Sequence, residues 1–180
     1  MAKVDRRIGK TQEAIKNAVI DLMSKKNFDD ITIQDISDRA NVSRGTIYLH
    51  YVDKFDLLDK LVESHINELR EICRGADLTD FSGVSLWTGY FEQNYSFFSL
   101  MLASKGAPYF RTRFLDYLIE EFKQEADVTQ GKNRGLKEEV IVRFVASAIV
   151  GVVEWWFMND KPIPHHVLAE QLGLLFERNM

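Results

Sequence analysis

Residues 32–54 read T-I-Q-D-I-S-D-R-A-N-V-S-R-G-T-I-Y-L-H-Y-V-D-K, and this stretch decides the fold of the first part of the chain. Thr32 is a hydroxyl residue at a helix start, and Asp35 follows three residues later, which is the spacing of a capping box. The pattern predicts a short helix that begins after Thr32. Its apolar face is formed by Ile33, Ile36 and Ala40.

A turn and a second helix follow. Asn41 tolerates positive φ better than any residue except glycine, so it can end the first helix in a left-handed conformation. Val42 can fill the inside of the turn, and Ser43 can cap a helix over residues 44–50. The side chains near the start of this second helix are small, hydrogen-bonding or cationic: Ser43, Arg44, Gly45 and Thr46.

Two helices joined by such a turn form a helix-turn-helix, whose second helix reads base edges with its first residues. We therefore expect double-stranded DNA as a partner. Arg44 and Thr46 are the best candidates for base contacts, and Thr32, Tyr48, His50 and Lys54 for phosphate contacts. The full set of predicted DNA-binding residues is Thr32, Ser43, Arg44, Gly45, Thr46, Tyr48, His50 and Lys54.

The run A-N-V-S-R-G-T-I-Y-L-H-Y-V-D-K closely resembles the end of the helix-turn-helix in the TetR family, where a small residue and Thr precede Tyr, His, an aromatic residue and Lys. Asn27 and Asn41 stand where the family usually has glycine, and both are compatible with a left-handed cap. Phe55 replaces a usual acidic residue. An upstream helix with Ile15, Ala18, Val19, Leu22 and Met23 extends the resemblance over roughly the first third of the chain.

The resemblance implies an all-α fold. A three-helix helix-turn-helix domain is expected over residues 8–68, joined by a long helix to a C-terminal helical dimerisation and effector domain over residues 69–180. In this family an effector bound in the C-terminal domain releases DNA by changing the angle between the linking helices, and the same is implied here.

Length and composition agree with this organisation. A chain of 180 residues with 46% hydrophobic content can bury one substantial core, or a small domain and a larger one. Three prolines and ten glycines favour long helices. The single cysteine, Cys73, excludes an internal disulfide and agrees with a reducing compartment. We expect a cytoplasmic protein, since charged residues follow Met1 and no apolar signal region does.

The net charge of −4 is unevenly distributed. Residues 1–26 carry seven Lys or Arg and three Asp or Glu, a net of +4, which leaves −8 for the remaining residues. Local positive charge attracts a phosphate backbone whatever the total charge. Arg6, Arg7 and Lys10 are therefore candidate phosphate contacts, and the alternative is an ordinary solvated terminus.

The pattern after residue 53 is helical throughout. Asp53 can cap a long helix that runs to about Arg74, and residues 75–80 break the pattern. The later elements predicted are a helix through Val84 and Asn94, one through Phe97 and Leu102, a turn at residues 104–108, a helix from about Pro108 to Ala126, and a polar loop at residues 127–135.

The last two helices, about residues 136–158 and 164–178, predict a homodimer. The first of them is more apolar than one protomer's core requires, and the alternative is that both close a monomeric core. Arg143 and Glu154 would be costly inside a bilayer, so we expect no membrane span. A two-fold dimer presents two reading helices about 34 to 36 Å apart, which implies a palindromic operator.

Aromatic residues are dense between positions 87 and 117, and they could line an apolar effector pocket or form ordinary core. The candidate ligand-binding residues are Trp87, Phe91, Met101 and Phe114. The run F-F-S-L-M-L-A-S-K-G-A-P-Y-F resembles a TetR subgroup that includes dihydroxyacetone-kinase regulators, some of which respond to a partner protein. A small apolar effector and a partner protein both remain open.

Metal sites, cofactors and catalysis have little support. The spacing of His165, His166 and Glu170 resembles no structural zinc site, and neither does that of His65 and Cys73. No nucleophile constellation, phosphate-binding glycine loop or dinucleotide motif is present, so we expect no metal, no cofactor and no enzyme activity. Two hypotheses remain. The first is a sequence-specific regulator, more often a repressor in this family. The second is a co-regulator that binds DNA weakly and recruits a partner protein.

Overall fold

The computed structural model describes residues 2–78, 80–103, 107–125 and 131–179, and every regular element within them is helical. The predicted all-α class is therefore confirmed. The chain forms two compact units that divide between His65 and Ile66, within one continuous helix. The domain limits of 8–68 and 69–180 stay a prediction.

The first unit contains α1 (Ala2–Met23), a short 3-10 helix (Phe28–Asp30), α2 (Ile33–Ala40), α3 (Arg44–Tyr48) and the first part of α4 (Lys54–Ile72). Helix α1 packs on α2, and α2 packs on α3. A small apolar core holds these short elements together. Its buried side chains include Ile15, Val19, Phe28, Ile36, Ile47, Tyr51, Leu58 and Val62.

The connection from α2 to α3 has the predicted capping. The Thr32 hydroxyl accepts from the Asp35 backbone N–H at 3.1 Å, and the Asp35 carboxylate accepts from the Thr32 backbone N–H at 2.8 Å, which completes a capping box. Asn41 is left-handed with φ of 52°. The Ser43 side chain caps α3 by accepting from the Thr46 N–H at 3.1 Å. These three predictions are confirmed.

Three local expectations differ from the structure. Asn27 has φ of −58° and ψ of 143°, so the left-handed cap considered for it is wrong, and the chain enters the 3-10 helix from an extended residue. Helix α3 ends at Tyr48 instead of residue 50, because the chain turns there and buries Tyr51 in the core. Helix α1 begins at Ala2, so Arg7 and Lys10 lie on a helix and not on an irregular terminus.

Lys54 joins the 3-10 helix to the start of α4. Its ammonium donates to the backbone carbonyls of Phe28, Asp29 and Ile31 at 3.0, 2.7 and 2.9 Å. It also lies 5.1 Å from the ring centroid of Phe28 and 5.3 Å from that of Phe55. An ammonium has three N–H donors, so all of them are used within this unit.

The second unit contains the end of α4 followed by five helices: α5 (Phe81–Gln93), α6 (Tyr95–Ala103), α7 (Ala107–Glu125), α8 (Glu138–Met158) and α9 (His165–Asn179). Helix α5 packs on α9, and α8 packs on α6 and α7. Residues 104–106 and 126–130 lie outside the described residues, and with them most of the predicted turn at 104–108, the predicted end of α7 at Ala126 and half of the loop at 127–135.

Cys73 lies just beyond the end of α4 and is buried. Burial raises the pKa of its thiol to about 11, and the nearby carboxylate of Glu121 acts in the same direction. Tyr117 forms a side-chain hydrogen bond with this thiol. The cysteine therefore belongs to the apolar interior of the second unit.

The capping box makes stability depend on pH. Hydrogen bonds from Lys26 and Thr32 hold the pKa of Asp35 well below its ordinary value. A lowered carboxyl pKa stabilises the fold above the unfolded-state value of about 3.9, and this contribution is lost as the pH falls further. We expect Asp35→Asn to lower the melting temperature at neutral pH, and the difference from the wild type to shrink below about pH 4.

The measurement is a series of thermal melts by circular dichroism across this pH range. Asp30→Asn, which changes an exposed carboxylate of the 3-10 helix, is the control. A difference between Asp35→Asn and the wild type that stayed constant with pH would contradict the assignment.

Removing the Lys54 ammonium should destabilise the first unit. Lys54→Met leaves three carbonyls without their charged donor, and we expect a loss of about 2 to 3 kcal/mol in the free energy of unfolding. Lys25→Met is the control, because Lys25 forms only an exposed pair with Asp21 one turn away, worth less than about 0.5 kcal/mol. Urea denaturation measures both, and equal effects of the two substitutions would refute the role of Lys54.

Candidate nucleic-acid interface

Helix α3 is oriented by one buried side chain. Ile47 is fully buried. At about 100° per residue, Gly45 and Leu49 lie nearly opposite Ile47, on the side that faces away from the core. Arg44 and Tyr48 lie to one side of this outer face, and both are exposed.

Four of the predicted DNA-binding residues lie together on the first turn of α3. Ser43, Arg44 and Gly45 are exposed, and Thr46 is half-buried. The hydroxyl oxygens of Ser43 and Thr46 are 2.8 Å apart, so a hydrogen bond fixes the direction of both side chains. This turn presents two oriented hydroxyls and one guanidinium, which are groups that hydrogen-bond to base edges.

The residues predicted to contact phosphate occupy different environments. Thr32 is exposed at the start of α2, where its hydroxyl donates to Asp35 at 2.7 Å. Tyr48 is half exposed on α3. His50 lies in the turn after α3, with its ring edge-on to Tyr51 at a centroid distance of 6.2 Å.

Lys54 is placed differently from its predicted role. Its three N–H groups already bind three backbone carbonyls, so a contact with phosphate would require one of these bonds to break. The structure gives Lys54 the task of positioning the chain around the helix-turn-helix.

A second clamp, formed by Asp56 and Lys60, was not predicted from the sequence. The Asp56 carboxylate accepts from the Val52 N–H at 2.8 Å, which together with Lys60 lowers the pKa of this carboxyl. The Lys60 ammonium donates to Asp56 at 3.0 Å and to the His50 carbonyl at 3.1 Å. The spacing of four residues between an acid and a lysine on α4 was the available signal.

Part of the positive charge near the N-terminus is neutralised within the protein. Asp21 pairs with Lys25 at 2.7 Å and with Arg39 at 2.5 Å, and these hydrogen bonds, that of Arg39 above all, lower the pKa of the Asp21 carboxyl. Lys26 pairs with Asp35 at 2.8 Å. Arg7 and Lys10 are exposed on α1, whereas nothing is described of the Arg6 side chain.

Helices α8 and α9 carry exposed apolar side chains. Those on α8 follow one face at helical spacing, and midway along that face a Cβ added to Gly151 would meet nothing within 4 Å. The face thus combines large apolar groups with a flat central position. Its exposed apolar members are Val140, Phe144, Trp155 and Met158 on α8, with Leu174 and Leu175 on α9.

Helix α8 also has the length and composition of a membrane span, with a mean hydropathy of 1.8 over its most apolar window. Half of that window is buried within the protein, as in the core helix of a soluble domain. Glu154 on this helix pairs with Arg111 of α7 at 3.0 Å. These observations favour a core and interface helix.

The four candidate ligand-binding residues, Trp87, Phe91, Met101 and Phe114, are buried in the second unit. The Phe91 ring lies 5.6 Å from that of Trp87 and 5.4 Å from that of Phe114, both edge-on. Such contacts are those of a packed aromatic core. A cleft of about 390 Å³ between the start of α5 and α9, and one of about 610 Å³ beyond α4, have other linings.

Within the described residues, no three His, Cys, Asp or Glu side chains are arranged to hold a metal ion.

Comparisons with known proteins cover both units. The family model described as "Bacterial regulatory proteins, tetR family" matches residues 15–61, and that described as "Transcriptional regulator C-terminal region" matches residues 83–178. An uncharacterized HTH-type transcriptional regulator of Bacillus subtilis, YxbF, is 35% identical over 68 residues. That match covers 37% of this chain but only 18% of the relative.

Solved structures match over nearly the whole chain. A TetR transcriptional regulator from Streptococcus agalactiae is 29% identical, with a TM-score of 0.75 over 98% of this chain and 99% of that one. The dihydroxyacetone kinase operon activator DhaS is 20% identical, with a TM-score of 0.66 over 93% and 94% of the two chains, which supports the shared fold alone. The finer resemblance to that subgroup therefore stays a prediction. With one matched model spanning more than half of its length, the chain belongs to the TetR family of bacterial transcriptional regulators, which bind DNA and are not enzymes.

Proposed function

We propose that this regulator binds a two-fold symmetric operator as a homodimer and represses transcription. The observation that carries the proposal is the outer surface of α3, where a guanidinium and two hydrogen-bonded hydroxyls stand on a helix anchored by buried Ile47. Repression follows most directly from a dimer that occupies DNA needed by the transcription machinery. The site of action is then the cytoplasm.

The first unit supplies the DNA contacts, and residues 8–68 are the proposed DNA-binding domain. Arg44 is suited to a bidentate contact with guanine, and Thr46 to a hydrogen bond with a base edge next to it. Ser43 orients Thr46, and Gly45 lets the helix approach the bases closely. Thr32, Tyr48 and His50 are the proposed phosphate contacts, whereas Lys54 acts by positioning them.

The second unit, residues 69–180, is proposed to hold the dimer interface on α8 and α9. Burial of the exposed face around Phe144 and Trp155 gives such an association its driving force. The flat position at Gly151 lets the two copies of α8 approach closely. The dimer would place its reading helices one DNA turn apart, at about 34 to 36 Å.

The same domain is the proposed site of regulation, by a small apolar effector or a partner protein. An effector that entered among Trp87, Phe91, Met101 and Phe114 would have to open a packed core, so binding there would be coupled to a change in helix packing. The alternative, a co-regulator that binds DNA only weakly, is not favoured, because the outer surface of α3 keeps the groups that read bases.

Selection from a random duplex library with the full-length protein tests the DNA-binding proposal. We expect an inverted repeat to be enriched. Arg44→Ala should weaken binding to it by about 5- to 150-fold and relax the preference at one base pair of each half-site. Tyr48→Phe should flatten the salt dependence, since one phosphate contact per half-site is lost.

Arg113→Ala, which removes an exposed arginine of α7, is the matched control and should leave affinity unchanged. Enrichment of no symmetric sequence, or equal affinity of Arg44→Ala and the wild type, would overturn the proposal. Tight capture of a partner protein together with weak DNA binding would favour the co-regulator instead.

The dimer interface can be tested by placing a charge on it. Phe144 is 66% exposed in the single chain, so Phe144→Arg should leave the fold of the protomer intact while opposing association. We expect a monomer in sedimentation velocity experiments, with weaker operator binding. Leu86→Arg, at an exposed leucine of α5, is the control and should remain dimeric. A Phe144→Arg dimer as stable as the wild type would place the interface elsewhere.

A further inference from the structure

Leu49 is the most exposed large hydrophobic side chain among the described residues, at 81%. Single exposed leucines are common on protein surfaces, so exposure alone indicates nothing about function. The position of this one is informative, because it continues the spiral of α3. Its backbone is helical, with φ of −71° and ψ of −22°, and its N–H donates to the Gly45 carbonyl at 3.1 Å.

The direction of the Leu49 side chain follows from helix geometry. Leu49 lies about 200° around the helix from buried Ile47, and therefore points away from the core. Side chains on a helix lean toward its N-terminus, so that of Leu49 covers the preceding turn, which contains Gly45. Gly45 has no side chain, and the nearest atom to a Cβ there would be the Ser43 Oγ at 3.6 Å. The isobutyl group is thus the outermost feature of α3.

The major groove offers one apolar group to such a side chain. Each base pair displays donors and acceptors there, and only thymine adds a methyl group, at C5. A leucine that faced only polar base edges would leave them without partners.

We propose that Leu49 packs against a thymine methyl in each half-site and so selects an A·T pair at a position distinct from the base pair read by Arg44. The assignment rests on the proposed function, since it requires α3 to lie in the major groove. Burial of one methyl group corresponds to about a fourfold gain in affinity, and the two half-sites of a dimer together give about sixteenfold.

The test uses the operator selected by the full-length protein, with thymines replaced by deoxyuridine symmetrically at one position at a time. This replacement removes the methyl group and leaves every hydrogen-bonding group in place. We expect one position at which the wild type loses about sixteenfold in affinity. Leu49→Ala should bind the thymine and deoxyuridine duplexes equally at that position, while remaining sensitive at any other position where the wild type is.

Val52→Ala is the matched control, because Val52 is 79% exposed but lies in the turn beyond α3. It should keep the wild-type response to deoxyuridine. The proposal is overturned if the selected half-site contains no thymine, if Leu49→Ala responds to deoxyuridine as the wild type does, or if Val52→Ala abolishes the response. A wild type that selects no DNA sequence would instead refute the proposed function. Thermal melts check that both variants fold.

Discussion

The geometry of the helix-turn-helix depends on the Lys54 ammonium and the three carbonyls that it binds. Helix α3 has only five residues, far fewer than a helix needs to be stable in water. Its direction must therefore come from its surroundings. The buried Ile47 side chain fixes its rotation, Ser43 fixes its start, and the clamps made by Lys54 and Lys60 fix the chain before α2 and after α3. The reading surface is thus rigid because of residues that do not belong to it.

Charge is divided between internal and external tasks in the first unit. Several cations that make the N-terminal segment look basic are held by Asp21 and Asp35, where they join α1 to α2 and secure the capping box. Total charge is consequently a poor guide to the potential that DNA would meet. Arg7, Lys10 and Arg44 are the exposed cations named above, and they carry more of the electrostatic attraction than a count of Lys and Arg suggests.

Sequence reasoning located the features that depend on neighbouring residues. The capping box at Thr32, the left-handed Asn41 and the caps at Ser43 and Asp53 each follow from one side chain and the backbone beside it. It failed where distant contacts decide. The carbonyls around Lys54 are more than twenty positions away, so the spacing that predicts a phosphate contact cannot show that the ammonium is already bound. Burial of the aromatic residues likewise results from packing among several helices.

The environment of Cys73 has a practical consequence for spectroscopy. The chain has one thiol, which is buried and, with a pKa of about 11, almost entirely protonated at neutral pH. Maleimides and iodoacetamides react with exposed thiolates, so this thiol should label slowly in the native protein. The natural sequence can therefore serve as a nearly cysteine-free background. A cysteine introduced on the surface of either unit would then accept a fluorophore or spin label selectively, without first removing the native thiol from its core.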